Sequence, residues 1–108
     1  MDKSKVVNIV SQLILQLLPA FQVKKVILYG SWVWGTPDES SDIDIAVVIN
    51  WLDEDYLEAL TKLYKICNTV DIRIEPILLE ERHDPSGFLK HILSHGEIIY
   101  ERKEAEHA

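Results

Sequence analysis

The pair Gly30-Ser31 closes an apolar run, Val26-Ile27-Leu28-Tyr29, and after ten further residues the chain continues Asp42-Ile43-Asp44. Side chains alternate faces along an extended chain, so Asp42 and Asp44 project to one side, about 7 Å apart, and Ile43 to the other. Two carboxylates held in this way repel each other when empty. A divalent cation between them removes that cost, and Mg²⁺ favours carboxylate and phosphate oxygens. A third acid, Asp71, opens another β-rich run, Val70-Asp71-Ile72-Arg73-Ile74. It supplies a third carboxylate if that strand lies beside the one carrying Asp42 and Asp44. Three acids around two metal ions form a clamp on the attacking and leaving oxygens of phosphoryl transfer. The Gly30-Ser31 turn is the complementary half of such a site. Glycine lets the backbone come close to a triphosphate, and Ser31 offers a hydroxyl at the start of a helical turn, where free N–H groups favour phosphate.

Positioning these groups takes a small set of elements. Residues 4–18 read as a helix with apolar side chains near the 3.6-residue period, ended by Pro19. Residues 23–29 read as a strand buried on both faces. Gly30 breaks it, Ser31 caps a short helical turn through Trp34, and Gly35 stops that turn. Turn chemistry fills 36–41, and a second strand runs over 42–49. A second amphipathic helix is expected over 53–68 with Asp53 as its N-cap, then a third strand over 70–79, bent or finished near Pro76. A third helix follows over 85–95 with Gly96 as C-cap, 98–100 adds a short edge strand, and 101–108 is a charged tail expected to fray. The order helix, strand, strand, helix, strand, helix predicts an α/β (α+β) fold, a small mixed β-sheet flanked by helices, in one domain covering 1–108.

A Gly-Ser turn or an Asp-x-Asp taken alone is more often structural than catalytic. Asp42 and Asp44 rise above that background because they open an otherwise hydrophobic strand, against β-propensity and at a desolvation cost. Local rules are broken where function resides. Arg73 and Glu75 share the parity of Asp71. Glu75 reads slightly better as a solvated or ion-paired strand position, while Arg73 either contacts phosphate or pairs with Asp71. Trp32 and Trp34 lie two apart and cannot share one helical face, so one belongs to the core and the other is left for base stacking or a partner. His91 and His95 have the spacing of a helix pair without a third ligand and read as surface residues. Cys67, the one cysteine, falls on an amphipathic helix and reads as a buried structural thiol.

The chain has 108 residues, enough for one real core, with 47% hydrophobic and 27% charged residues. Eighteen acids against eleven Lys and Arg give a formal charge of −7. That balance argues against binding a nucleic-acid polymer, whose affinity comes from Lys and Arg contacts to phosphates. It suits a cation, a nucleotide held through a cation, or a protein partner. A single cysteine agrees with a reducing compartment, and nothing at the N-terminus resembles a signal peptide or a membrane span, so a soluble, cytoplasmic protein is expected.

Gly30-Ser31, ten residues, Asp42-x-Asp44, then Asp71 on a later strand resembles the DNA-polymerase-β-like nucleotidyltransferase superfamily. The likeness is strongest to its minimal branch, stand-alone domains paired with HEPN-domain proteins in toxin–antitoxin modules, and it covers nearly the whole chain. The resemblance implies that Gly30 and Ser31 bind the nucleoside triphosphate and that Asp42 and Asp44 bind Mg²⁺. Asp71 would complete the metal site and help deprotonate the attacking hydroxyl. It implies two Mg²⁺ ions, transfer of AMP from ATP to a protein hydroxyl with release of pyrophosphate, and a hetero-oligomer with a HEPN toxin. One departure stands out. Family members often carry arginine directly after Gly-Ser and another basic residue two positions on, where this chain has Trp32 and Trp34; no basic residue occurs between Lys25 and Lys62. A rival expectation follows, a binding module that neutralises a partner by occlusion. A transferase acting on a small molecule is more distant, since it usually needs an additional acceptor-binding domain.

Overall fold

A computed structural model describes residues 2–38 and 41–103. Among these, the elements in chain order are α1 (Lys3–Leu17), β1 (Val23–Tyr29), α2 (Ser31–Trp34), β2 (Ile43–Ile49), α3 (Tyr56–Val70), β3 (Ile74–Glu80), α4 (Phe88–His95) and β4 (Glu97–Glu101). The sheet order is β3-β2-β1-β4. β1 pairs antiparallel with β2 and β4, and β2 pairs parallel with β3 through the α3 crossover, so the sheet is mixed, as the element order predicts.

Local chemistry sets most boundaries. Asp2 caps α1 by accepting from the Lys5 N–H at 3.0 Å, and Asp55 caps α3 by accepting from the Glu58 N–H at 3.1 Å. Helix α3 therefore starts later than expected, with Asp55 rather than Asp53 as its cap. Pro76 does not end β3, because β3 lies at the sheet edge, where a missing N–H breaks no ladder bond. Gly96 is the C-cap of α4 as expected. β4 extends through Glu101, so the expected fraying does not begin there, and residues 104–108 of that tail lie outside the described residues.

The sheet buries both faces unequally. Against one face, Val6, Val10, Leu13 and Leu17 of α1 and Ala59, Leu63 and Cys67 of α3 pack on Val26, Leu28, Ile43, Ile45, Val47 and Ile74. The other face has a smaller core in which Ile27, Ala46 and Val48 meet Leu89 and Ile92 of α4. Fully burying each such aliphatic side chain contributes about 1.5–3 kcal/mol, so the first layer carries most of the stability. Cys67 belongs to it, and burial pushes its thiol up to about 12, which leaves it inert. The second face is only partly roofed, and its open end is where the acids emerge. Among the described residues no helix is long and apolar enough to cross a membrane.

Candidate active site

Register builds the site. Asp44 on β2 lies beside Glu75 on β3 and opposite Tyr29 on β1. Residues paired across strands share a face, so Glu75, Asp44 and Tyr29 form one row across the sheet on the side of Ile27, Ala46 and Val48. Asp42, two residues before Asp44 and just outside β2, joins this side at the exposed rim.

The charges in this row are unbalanced. Burial raises the pKa of the Asp44 carboxyl above the ordinary carboxylate range, and the negative charges of Asp42 and Glu75 raise it further. Tyr29 is pushed up to about 12, by burial first and then by Asp44, so its phenol stays neutral. Among the described residues no three His, Cys, Asp or Glu side chains form a ready-made metal cage. The donor set nonetheless suits a hard divalent cation. It is all carboxylate oxygen, it carries charge that a cation would relieve, and Mg²⁺ normally keeps several waters and substrate phosphates rather than a full protein cage.

Gly30 belongs to the site for a reason visible only in three dimensions. Its φ of +76° is a left-handed value, and a Cβ added there would lie 2.2 Å from Oδ2 of Asp44. The space that a side chain would occupy is already filled by the Asp44 carboxylate. Gly30→Ala is therefore expected to lower stability by about 1–3 kcal/mol through the backbone strain alone, and to push the Asp44 carboxylate out of the row. Thermal melting and Mg²⁺ titration of the variant check the two effects separately. Ser31 is exposed and is the first residue of α2 rather than its cap, a place taken by Gly30. The carbonyl of Gly30 accepts from the N–H groups of Val33 at 2.9 Å and Trp34 at 2.8 Å, which closes the turn.

Asp71 falls elsewhere. It does not open β3 as the alternation of its run predicts, but is the C-cap residue of α3, three residues before the strand. Its side chain organises a turn instead. Oδ1 of Asp71 accepts from the Arg73 N–H at 2.9 Å, and the Ile74 N–H donates to the Asp71 carbonyl at 3.2 Å. The Arg73 guanidinium donates from Nε to Oδ1 at 2.9 Å and from Nη2 to Oδ2 at 2.6 Å, a bidentate pair. These hydrogen bonds hold the Asp71 carboxyl below the usual range. Both oxygens face Arg73, and the carboxylates that load Asp44 are Asp42 and Glu75. The carbonyl of Arg73 accepts from the Ile43 N–H at 2.8 Å, so the pair is anchored beside the segment carrying Asp42 and Asp44.

Glu75 is the residue that the sequence pattern undervalues. A signal existed: with β2 and β3 parallel, Ile43-Asp44-Ile45 aligns with Ile74-Glu75-Pro76, an acid between the same buried flanks.

A profile of the family described as Polymerase beta, Nucleotidyltransferase matches residues 12–105. Comparison with curated proteins returns no match. Among solved structures, a protein of Sulfolobus solfataricus classed as a nucleotidyltransferase aligns with a TM-score of 0.70 at 17% identity, over 93% of this chain and 84% of that one. A toxin–antitoxin structure with AMP-PNP aligns with a TM-score of 0.61 at 24% identity, over 85% and 73%. The complex of a tri-AMPylated HEPN toxin from Shewanella oneidensis with an MNT antitoxin aligns with a TM-score of 0.59 at 21% identity, over 93% and 73%. At these identities the likeness is one of fold.

Proposed function

The chain belongs to the Polymerase beta nucleotidyltransferase family, and from that premise we propose that it transfers AMP from ATP to a hydroxyl of a partner protein, as the antitoxin of a HEPN/MNT module. The observation that carries this reading is the carboxylate row, Asp44 in register with Glu75, its pKa raised by burial first and then by Asp42 and Glu75, with Gly30 fitted against it. Asp42 and Asp44 would hold divalent metal, with Glu75 as the third carboxylate. Gly30 and Ser31 would flank the triphosphate. Asp71, given as a metal ligand by the family resemblance, acts in this reading through Arg73, which it holds as a cation near phosphate.

Bound Mg²⁺ would supply charge neutralisation of the phosphates and orientation of the reacting oxygens. In the transfer, the acceptor oxygen bonds to the α-phosphorus while the bond from that phosphorus to the bridging oxygen breaks. Pyrophosphate leaves with the electron pair, and the hydroxyl proton passes to the carboxylate row. A domain of this size has little surface for a macromolecular acceptor, so a partner chain would complete the pocket. The fold it shares with chains of toxin–antitoxin complexes supports a HEPN toxin as that partner.

Incubation with α-labelled ATP, Mg²⁺ and the protein encoded by the neighbouring gene is expected to label that protein, and Asp42→Asn to abolish the labelling. Label that is absent with wild type, or unchanged in the variant, overturns the reading.

One observation favours the occlusion alternative. The segment between Lys25 and Lys62 holds no basic residue, and the Arg73 guanidinium is paired with Asp71. Calorimetric titration separates the two: a catalytic site binds ATP in a Mg²⁺-dependent way, and a vestigial one does not.

A further inference from the structure

The tryptophans that stand where basic residues are often found divide their roles. Trp32 is buried in the main core at 6% exposure, whereas Trp34 is 48% exposed on the face that carries Asp44. Trp34 is not loose there. Its indole N–H donates to the carbonyl of His95, and its ring lies 5.6 Å from His91 and 6.3 Å from His95, both edge-on. The two imidazoles stack on each other at 4.4 Å, so α4 holds the indole edge. Trp34 also meets Tyr29 at 6.1 Å, and Tyr29 in turn meets Phe88 edge-on at 6.1 Å. With its N–H satisfied, what the half-exposed indole has left to offer is apolar ring surface.

Its place in the chain says what that surface is near. Trp34 lies one helical turn, roughly 5 Å of rise, after Ser31, and its neighbour Tyr29 is the residue paired with Asp44. The aromatic tray is therefore continuous with both the Gly30–Ser31 turn and the carboxylate row.

We propose that Trp34, braced by Tyr29, His91 and His95, is the seat of the nucleobase, stacking on the purine ring of the nucleotide whose phosphates lie at Gly30–Ser31. The assignment rests on the transferase reading above. It also answers the charge problem of this chain. With no cation between Lys25 and Lys62, phosphate contacts from this segment are weak, and base stacking supplies affinity that does not depend on charge. An aromatic platform serves any base, since every base has a π face, so the tray would favour large rings without reading their edges.

The test compares two ligands, Mg²⁺ with a non-hydrolysable ATP analogue and Mg²⁺ with inorganic tripolyphosphate, by calorimetry on wild type, Trp34→Ala and Trp34→Phe. Trp34→Ala is expected to weaken the ATP analogue about tenfold or more, the scale of one lost base–aromatic stack, and to leave tripolyphosphate affinity unchanged. Trp34→Phe, which keeps a ring and guards against misfolding of the alanine variant, should recover most of the loss. Equal weakening of both ligands overturns the proposal, because Trp34 would then merely support the turn. Unchanged affinity for the ATP analogue overturns it too, and if transfer to the partner is lost at the same time the tray seats the acceptor instead. Wild type that binds neither ligand defeats the transferase reading itself, a result distinct from either.

Discussion

Asp44→Asn is expected to reduce nucleotidyl transfer about a thousandfold, the scale of losing one electrostatic partner of the transition state, while making the metal-free protein more stable. The second half follows from the sign of the shift. The folded-state pKa of Asp44 is raised, by burial first and by Asp42 and Glu75 after it. The folded protein therefore holds that proton more tightly than the unfolded chain does. Whatever stability the protonated carboxyl provides is fully present below the unfolded value, about 4, and is lost as pH rises through the folded one. At pH 7 the ionised Asp44 is a net cost, which asparagine removes without changing shape. Asp44 is half-buried, so solvent screens part of this cost, and a gain of a few degrees in melting temperature is the expected scale. The gain should shrink as pH is lowered toward 4. Added Mg²⁺ should raise the wild-type melting temperature and move the variant less. A variant that melts at or below wild type in the absence of metal would contradict the electrostatic picture of the row.

The second large effect separates the two acids that compete for the third place. Glu75→Gln is expected to lower kcat/KM about a hundredfold or more with little change in melting, since Glu75 is exposed and bears on Asp44 through charge. Asp71→Asn is expected to behave the other way. It removes one partner of a partly exposed bidentate pair and loosens the turn into β3, which costs about 1–2 kcal/mol after allowance for solvent. Activity should fall only about tenfold, because Arg73 loses its anchor while the carboxylate row stays intact. Measured together, kcat/KM and melting temperature give opposite orders for the two variants. A deeper catalytic loss in Asp71→Asn than in Glu75→Gln would mean that Arg73 swings away on substrate binding and Asp71 takes the metal.

The stability cost at Asp44 has a functional logic. A site that holds like charges together in a half-buried row stores unfavourable free energy that a bound divalent cation would release. The same tension would make the apo domain prefer its ligands to emptiness, without any moving part.

Several elements were legible because their signals are local. The helix period and Asp caps, the apolar run of β1 and Gly96 at the end of α4 all act within a few residues, so their types and order needed no knowledge of the rest of the fold. The pairing of Asp42 with Asp44 was legible for the same reason, since strand alternation alone puts them on one side. Asp71 and Glu75 were not separable in that way. Alternation along Val70-Asp71-Ile72-Arg73-Ile74-Glu75 is equally good for either acid, and the run's β-propensity gives no hint that an Asp71 side chain would turn back onto its own backbone and onto Arg73. Which acid stands beside Asp44 is a question of register between β2 and β3, strands joined only through α3, and register is set when Ile43 and Ile74 enter the same core. Gly30 tells the same story. Its type marks a turn in any reading, but the carboxylate that forbids a side chain there belongs to a residue fourteen positions away, brought against it by the antiparallel pairing of β1 with β2. Short-range chemistry is written in neighbouring residues, while the meeting of distant side chains depends on how whole strands pack.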